Sequence, residues 1–304
     1  MRFSVWPNPS RPWAEVLDIV QACDAAGWYG AYFADHFMPN DVGSEPLDGP
    51  VLECWGVMAG LAAATEHLRI GSLVCGNLYR HPAIVANAAA TLDHISGGRF
   101  VLGVGAGWQV NEHQAYGIDL LSTKARLDRF EDACEIISSL LREQRTTFAG
   151  DSYRITDAPC DPKPVQSPLP LLVGGKGERR TMRIAARHAN EWNAWTTADE
   201  FRQKIDVLER HCDDIGRDPA SIARSTQGLV YLSTDESWLA RHRGGDAGRP
   251  VIVGTPAEVV DQVAAYRDAG VGELIIPDWT MGKASRAKDT LDLFWTEVAS
   301  HFAG

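Results

Sequence analysis

Residues 100–113 read FVLGVGAGWQVNEH, an apolar run of strand character that becomes glycine at every second position from Gly103 to Gly107 and then presents Trp108, Asn111, Glu112 and His113. Glycines after a strand let a backbone approach a phosphate, so the dinucleotide fingerprint G-x-G-x-x-G is the first reading to test. The spacing fails it. From Gly103 and Gly105 the third glycine is due at Trp108, and from Gly105 and Gly107 it is due at Val110. No helix is expected at once either, because Gly117, Ile118 and Asp119 precede the next periodic segment at 125. The stretch is a glycine-opened strand end in some other α/β fold.

Outward from it, strand and helix signals alternate along the whole chain. Apolar or β-branched runs occur at RFSVW (2–6), YGAYFA (29–34), LRIGSLV (68–74), RFVLGVG (99–105), PLLVG (170–174), EWNAW (191–195), QGLVYLS (227–233) and ELIIP (273–277). Between them lie helical periods such as Trp13, Val16, Leu17, Val20 and Leu127, Phe130, Cys134, Ile137, Leu141. Thr255, Pro256 and Glu258 form a helix-start signature of cap, first-turn proline and capping-box acid. Eight strand-helix units in 304 residues predict one (β/α)8 TIM barrel over 1–304. Two tracts break the spacing and are expected as rim insertions after strands four and seven. One spans about 143–169, with a hairpin turning at Ala149, Gly150 and Asp151, and the other spans about 234–253 and contains HRGGDAGRP.

Composition narrows the function. A hydrophobic content of 45% suits a large core, and a net charge of −11 argues against a nucleic-acid partner. No apolar run reaches membrane-spanning length, and MRFSVWPNPSR lacks a signal-peptide pattern. Cys23, Cys54, Cys75, Cys134, Cys160 and Cys212 include no C-x-x-C and no histidine spaced to complete a zinc site, so no metal is expected. A reduced, soluble, cytoplasmic protein is the plain reading.

A barrel of this kind carries its site at the carboxyl-terminal ends of its strands. The residues following each run are Trp6 and Asn8; Asp35 and His36; Val74, Cys75 and Asn77; Gly105, Gly107 and Trp108; Gly174, Gly175 and Gly177; Asn193 and Trp195; Ser233; Asp278 and Trp279. They are rich in tryptophan and glycine and poor in acid-base groups, which fits a flat aromatic ligand better than a hydrolytic centre. The stretch LLVGGKGERRT (171–181) adds glycine backbone, an immediate helix and Arg179 and Arg180 in its first turn, an anion site by geometry. A plain strand-to-helix turn with two solvated arginines is the alternative.

ADHF after the second strand, GSLVCGNLYRHPA, TLDHISGGRFVLGVGAGW followed by NEHQAYGI, DAPCDPKPVQ and LLVGGKGERRT occur here in one order. In that order they resemble the luciferase-like flavin and deazaflavin oxidoreductases, and most closely the branch that uses coenzyme F420. The resemblance implies a tricyclic ring across the barrel mouth, backed by a bulge within Ser72, Leu73, Val74 and Cys75 that often contains a non-prolyl cis peptide. It implies a phosphate-bearing tail near Gly174, Gly175, Gly177 and Arg179, with Asn111 as a tail contact. Gly105 and Gly107 are then expected to keep side chains out of the coenzyme's way.

His36 matches the histidine placed near the reacting ring carbon, with Asp35 as its orienting partner or a coenzyme contact, and imidazole suits the accompanying proton transfer. A histidine bonded to backbone in an ordered loop is the alternative. The chain departs from the sugar-phosphate dehydrogenase branch, which has an acidic glutamate where Trp108 stands. Glu112 and His113 could substitute, or could be a solvated pair at a helix start. Trp6, Trp108, Trp195 and Trp279 suggest an aromatic substrate pocket, some of them being ordinary core. The resemblance thus implies hydride transfer between coenzyme F420 and a small-molecule substrate by a homodimer. An FMN-dependent monooxygenase and a non-catalytic coenzyme-binding barrel are the other readings.

Overall fold

The computed structural model describes residues 1–39, 48–243 and 248–302. The chain opens with β1 (Arg2–Trp6), α1 (Trp13–Ala26), β2 (Gly30–Phe33), α2 (Cys54–Ala64), β3 (Arg69–Ser72) and the two-residue β4 (Cys75–Gly76). It continues through α3 (Pro82–Ser96), β5 (Phe100–Gly105), α4 (Val110–Ala115), α5 (Thr123–Arg142), β6 (Thr146–Ala149), β7 (Arg154–Ala158), β8 (Leu171–Gly174), α6 (Thr181–His188) and β9 (Glu191–Ala194). The last third holds α7 (Ala198–Asp213), β10 (Ala223–Gln227), β11 (Leu229–Leu232), α8 (Glu236–Ala240), β12 (Val251–Gly254), α9 (Pro256–Asp268), β13 (Glu273–Pro277) and α10 (Ala284–Glu297).

Eight parallel strands close on themselves in the order β1, β2, β3, β5, β8, β9, β10, β13, with Arg2 opposite Glu273 and Ile70 opposite Phe100 completing the ring. The expected (β/α)8 barrel is therefore the fold. Its interior is filled by Trp6, Tyr32, Leu73, Val101, Leu172 and Ile275. A larger apolar layer, including Val16, Phe100, Phe130, Ile137, Trp192 and Phe294, lies between strands and helices. The apolar stripe predicted for α5 is that layer: Phe130, Cys134, Ile137 and Leu141 are buried. The Thr255 start holds as well, the Glu258 carboxylate accepting the Thr255 N–H at 2.8 Å.

The seventh barrel strand is not where hydrophobicity placed it. It is β10, Ala223–Gln227, whose sequence ARSTQ is polar although Ser225, Thr226 and Gln227 are buried. The more apolar LVYL belongs to β11, which leaves the barrel and pairs in parallel with β12, Leu229 opposite Val251. The end of the 234–253 insertion is thus a strand, while part of its HRGGDAGRP tract, residues 244–247, lies outside the described residues. The insertion at 143–169 does contain the expected antiparallel hairpin, β6 with β7, and Gly150 N–H donates to Tyr153 across its turn. A second departure lies within the opening stretch: α4 begins at Val110, so a short helix starts soon after the glycines, the helix start considered for Glu112 and His113.

Candidate active site at the mouth of the barrel

After β3 the chain bulges. The Leu73–Val74 peptide is cis, within the segment expected for it. Ser72 spends its hydroxyl on β5, donating to the Gly103 carbonyl at 2.7 Å and accepting the Gly103 N–H at 3.0 Å, so it has little left to offer a ligand. Cys75 is buried, and burial raises its thiol pKa well above the ordinary value, leaving it an inert packing group. The glycines of the opening stretch answer to this bulge. A Cβ on Gly105 would lie 2.6 Å from Val74 Cγ2, one on Gly174 would lie 2.7 Å from Val74 Cγ1, and one on Gly103 would lie 2.0 Å from the Ser72 carbonyl oxygen. Gly105 and Gly174 therefore make room for a protein side chain, Val74, a correction to the expectation that Gly105 clears space for the coenzyme. Gly107 differs: its φ of +86° needs glycine for backbone reasons.

The polar centre of the mouth is Glu112. It sits on α4, fully buried, and its carboxylate accepts from His36 Nδ1 at 2.8 Å, from the Phe37 N–H at 2.9 Å and from the Tyr79 hydroxyl. Burial alone would raise the Glu112 pKa, but these three donors outweigh it and hold the carboxyl below its usual range. The Tyr79 phenol is pushed upward, by burial first and then by the Glu112 charge, so it remains a donor. Because an ionised carboxylate can only accept, His36 carries its proton on Nδ1. Nε2 makes no hydrogen bond among the described residues. The solvated acid-His alternative for Glu112 and His113 is excluded, since both side chains are buried. His113 instead packs its ring 5.0 Å from Tyr79 and bonds the Ile118 carbonyl at 3.1 Å.

Asp35 is not the partner of His36. Its carboxylate accepts the Gly76 N–H at 3.0 Å and Arg80 at 2.7 Å, which ties the end of β2 to the far side of the bulge. One oxygen, Oδ1, is buried with no partner among the described residues, as are Asn77 Nδ2, Gln109 Oε1 and Asn111 Oδ1. Asn111 is otherwise anchored through Nδ2 to the Pro39 carbonyl at 3.2 Å.

At the end of β8 the anion geometry is only partly as expected. Gly175 has φ +125°, but its N–H donates to the Asn193 carbonyl at 2.8 Å and is not available. The N–H groups of Lys176, Gly177 and Glu178 donate to no backbone carbonyl among the described residues. The arginines precede α6 and do not lie in its first turn. Arg180 is held by Asp128 at 2.8 Å and Glu131 at 3.3 Å, whereas Arg179 is exposed and makes no ion pair among the described residues.

Three of the four tryptophans converge. Trp6 lies 4.8 Å from Trp279 and 5.9 Å from Trp195 between ring centroids, and Trp195 lies 6.0 Å from Trp279. Trp108 is separate: 54% exposed, it stands edge-on to His36 at 5.6 Å. Of the other strand-end residues, Asp278 is buried beneath the cluster with its carboxylate on the Asn8 N–H and Arg11, at 2.7 and 2.8 Å. Sequence reasoning underrated Glu112 and missed Tyr79 and Arg80. The N-E-H run was the visible signal for Glu112, but Tyr79 and Arg80 gave none beyond lying within a matched motif.

Among the described residues there is no group of three or more His, Cys, Asp or Glu able to hold a metal, and no helix long and apolar enough to cross a membrane. Residues 1–246 match the model of the luciferase-like monooxygenase family. An F420-dependent glucose-6-phosphate dehydrogenase of Microbacterium testaceum is 33% identical, the match covering 87% of each chain. Among solved structures, an F420-dependent secondary alcohol dehydrogenase in complex with an F420-acetone adduct superposes with a TM-score of 0.83 at 17% identity over 98% of both chains. A monooxygenase from Streptomyces bottropensis does so with 0.84 at 20% identity over 100% of both. With its barrel, its bulge after β3 and a family match over most of its length, this chain belongs to the luciferase-like monooxygenase family.

Proposed function

We propose that the chain is an oxidoreductase that uses coenzyme F420 to move a hydride to or from a small organic molecule. Relatives described as F420-dependent dehydrogenases support the coenzyme. The observation that carries the chemistry is the Glu112 carboxylate bonded to His36 Nδ1.

The residues of the mouth fit a flat ring edged with heteroatoms. The Leu73–Val74 bulge gives an apolar backing, and Asp35 Oδ1, Asn77 Nδ2 and Asn111 Oδ1 are buried polar atoms without partners among the described residues. Such atoms are costly unless water or a ligand meets them. Leu73, Val74, Asn77 and His36 would hold the ring, and the free N–H groups of Lys176, Gly177 and Glu178 with Arg179 would hold an anionic tail. When bound, coenzyme F420 supplies a ring carbon that accepts or releases a hydride.

The chain itself handles the proton. Glu112 fixes the Nδ1–H tautomer of His36, so Nε2 accepts a proton from an alcohol undergoing oxidation, and the resulting imidazolium is stabilised by the carboxylate behind it. Tyr79 and the Phe37 N–H keep that carboxylate ionised and oriented. This arrangement supplies an acid-base group even though Trp108 occupies the place of the acid found in the sugar-phosphate branch.

The test is a binding titration with coenzyme F420 and with FMN, followed by a substrate screen in which F420 reduction is read by loss of its absorbance. Tight F420 binding with weaker FMN binding is expected. Tight FMN binding with no F420 binding would reject the proposal in favour of the FMN monooxygenase reading.

A further inference from the structure

The tryptophan corner contains an arginine that neither the barrel nor the His36 group explains. Arg249, half-buried at the start of the segment leading into β12, has its guanidinium 5.1 Å from the Trp279 ring centroid and 5.5 Å from that of Trp195. Its contacts among the described residues are these two ring faces, and no ion pair is formed there. Arg243 in the same insertion behaves differently, pairing with Glu236 at 3.0 Å and Glu258 at 2.9 Å. Cation–π contacts use the charge of a guanidinium and leave its N–H donors unmet.

Other donors in the corner are unmet too. The indole N–H groups of Trp6 and Trp279 are buried without acceptors among the described residues. The nearest carboxylate on the same strand end, Asp278, is already taken by the Asn8 N–H and Arg11. The corner therefore has flat apolar walls, three sets of N–H donors and, among the described residues, no unpaired carboxylate shown against them, which is the complement of a planar molecule bearing an oxyanion.

We propose that Arg249, between Trp195 and Trp279, is the residue that selects the substrate, and that the substrate is a planar, largely apolar molecule carrying a carboxylate or similar oxyanion. This rests on the mouth being the active site, as proposed above. An anionic coenzyme tail has the same chemistry, so the test must separate the two sources.

The test uses calorimetric titration of 2-naphthoate and its neutral isostere 2-naphthamide into the wild-type protein, Arg249→Gln and Arg249→Lys, with coenzyme F420 titrated separately into each. In the wild type the acid should bind at least about tenfold more tightly than the amide, the scale of one or two charge-assisted hydrogen bonds. Arg249→Gln should abolish the preference, Arg249→Lys should restore part of it, and F420 affinity should be the same in all three. Absent or equal binding of acid and amide to the wild type, or a preference that survives Arg249→Gln, would overturn the inference. So would a tenfold loss of F420 affinity in Arg249→Gln, which would assign the arginine to the coenzyme. Failure of the wild type to bind F420 at all would sink the coenzyme proposal while leaving the naphthoate comparison readable on the protein alone.

Discussion

Replacing Gly105 by alanine tests why the strand-end glycines are there. The new methyl carbon would stand 2.6 Å from Val74 Cγ2. Ordinary carbon–carbon contact is roughly 3.5–4.0 Å, so the variant is short by about 1 Å and either the valine or the bulge must move. Overpacking of this size costs about 1–3 kcal/mol. Val74→Ala alone removes two methyl groups from a half-buried side chain and should cost about 1 kcal/mol. Combined, the two changes should cost less than their sum, because the truncated side chain vacates the space the new methyl needs. A coupling of about 1–2 kcal/mol is expected from the shift of the urea midpoint at constant slope. Gly174→Ala, whose methyl would meet Val74 Cγ1 at 2.7 Å, should be rescued in the same way. Gly103→Ala is the control, since its methyl meets a backbone oxygen of Ser72 at 2.0 Å and no change at Val74 relieves that. Additive costs for Gly105→Ala and Val74→Ala, within about 0.5 kcal/mol, would refute the idea that the glycine exists to admit the valine.

Glu112→Gln should lower turnover by about a hundredfold while changing F420 affinity little, because the amide can no longer set the His36 tautomer; steady-state rates beside a coenzyme titration check this. The Glu112 carboxyl is held below its unfolded range, so its contribution to stability is present above the ordinary carboxylate pKa and is lost as pH falls through the depressed value. The wild type should therefore lose more stability between neutral and acid pH than Glu112→Gln in thermal melts, and parallel losses would contradict the assignment. Arg179→Ala should weaken F420 binding about fivefold with an unchanged melting temperature, the scale of one exposed cation near an anion. Arg180→Ala, which breaks contacts to Asp128 and Glu131, should leave F420 affinity alone and cost at most about 1 kcal/mol of stability; the reverse pattern would relocate the anion site.

The barrel was legible because most of its strands are apolar runs, and the one it misplaced has a physical reason. β10 buries Ser225, Thr226 and Gln227 with polar side chains, so hydrophobicity pointed past it to β11, whose Leu229 and Val230 are buried in a different sheet. The bulge and His36 came through the resemblance, since no local rule requires a cis peptide at Leu73–Val74. Side-chain partnerships were the least legible. Asp35 is adjacent to His36 in sequence, yet it points to Gly76 and Arg80, while the partner of His36 lies 76 positions away on the short helix α4. Chain neighbours at a strand end leave in opposite directions, so adjacency says little about who meets whom.

The mouth divides into two halves with different constraints. His36, the bulge and Glu112 come from the ends of β2, β3 and β5, which are consecutive in the barrel wall, and Glu112 binds them to one another through the Phe37 N–H and Tyr79. Trp6, Trp195 and Trp279 follow β1, β9 and β13, and Arg249 reaches them from the insertion that precedes β12. The halves meet in the interior cluster, where Leu73 and Val74 pack in the same group as the tryptophans. None of the hydrogen bonds of Glu112 involves a residue of the tryptophan corner; they run to His36, Phe37 and Tyr79. Substrate choice can drift in one half of such a barrel while the proton-handling half stays fixed, which is why the identity of Arg249 says more about what this chain acts on than His36 does.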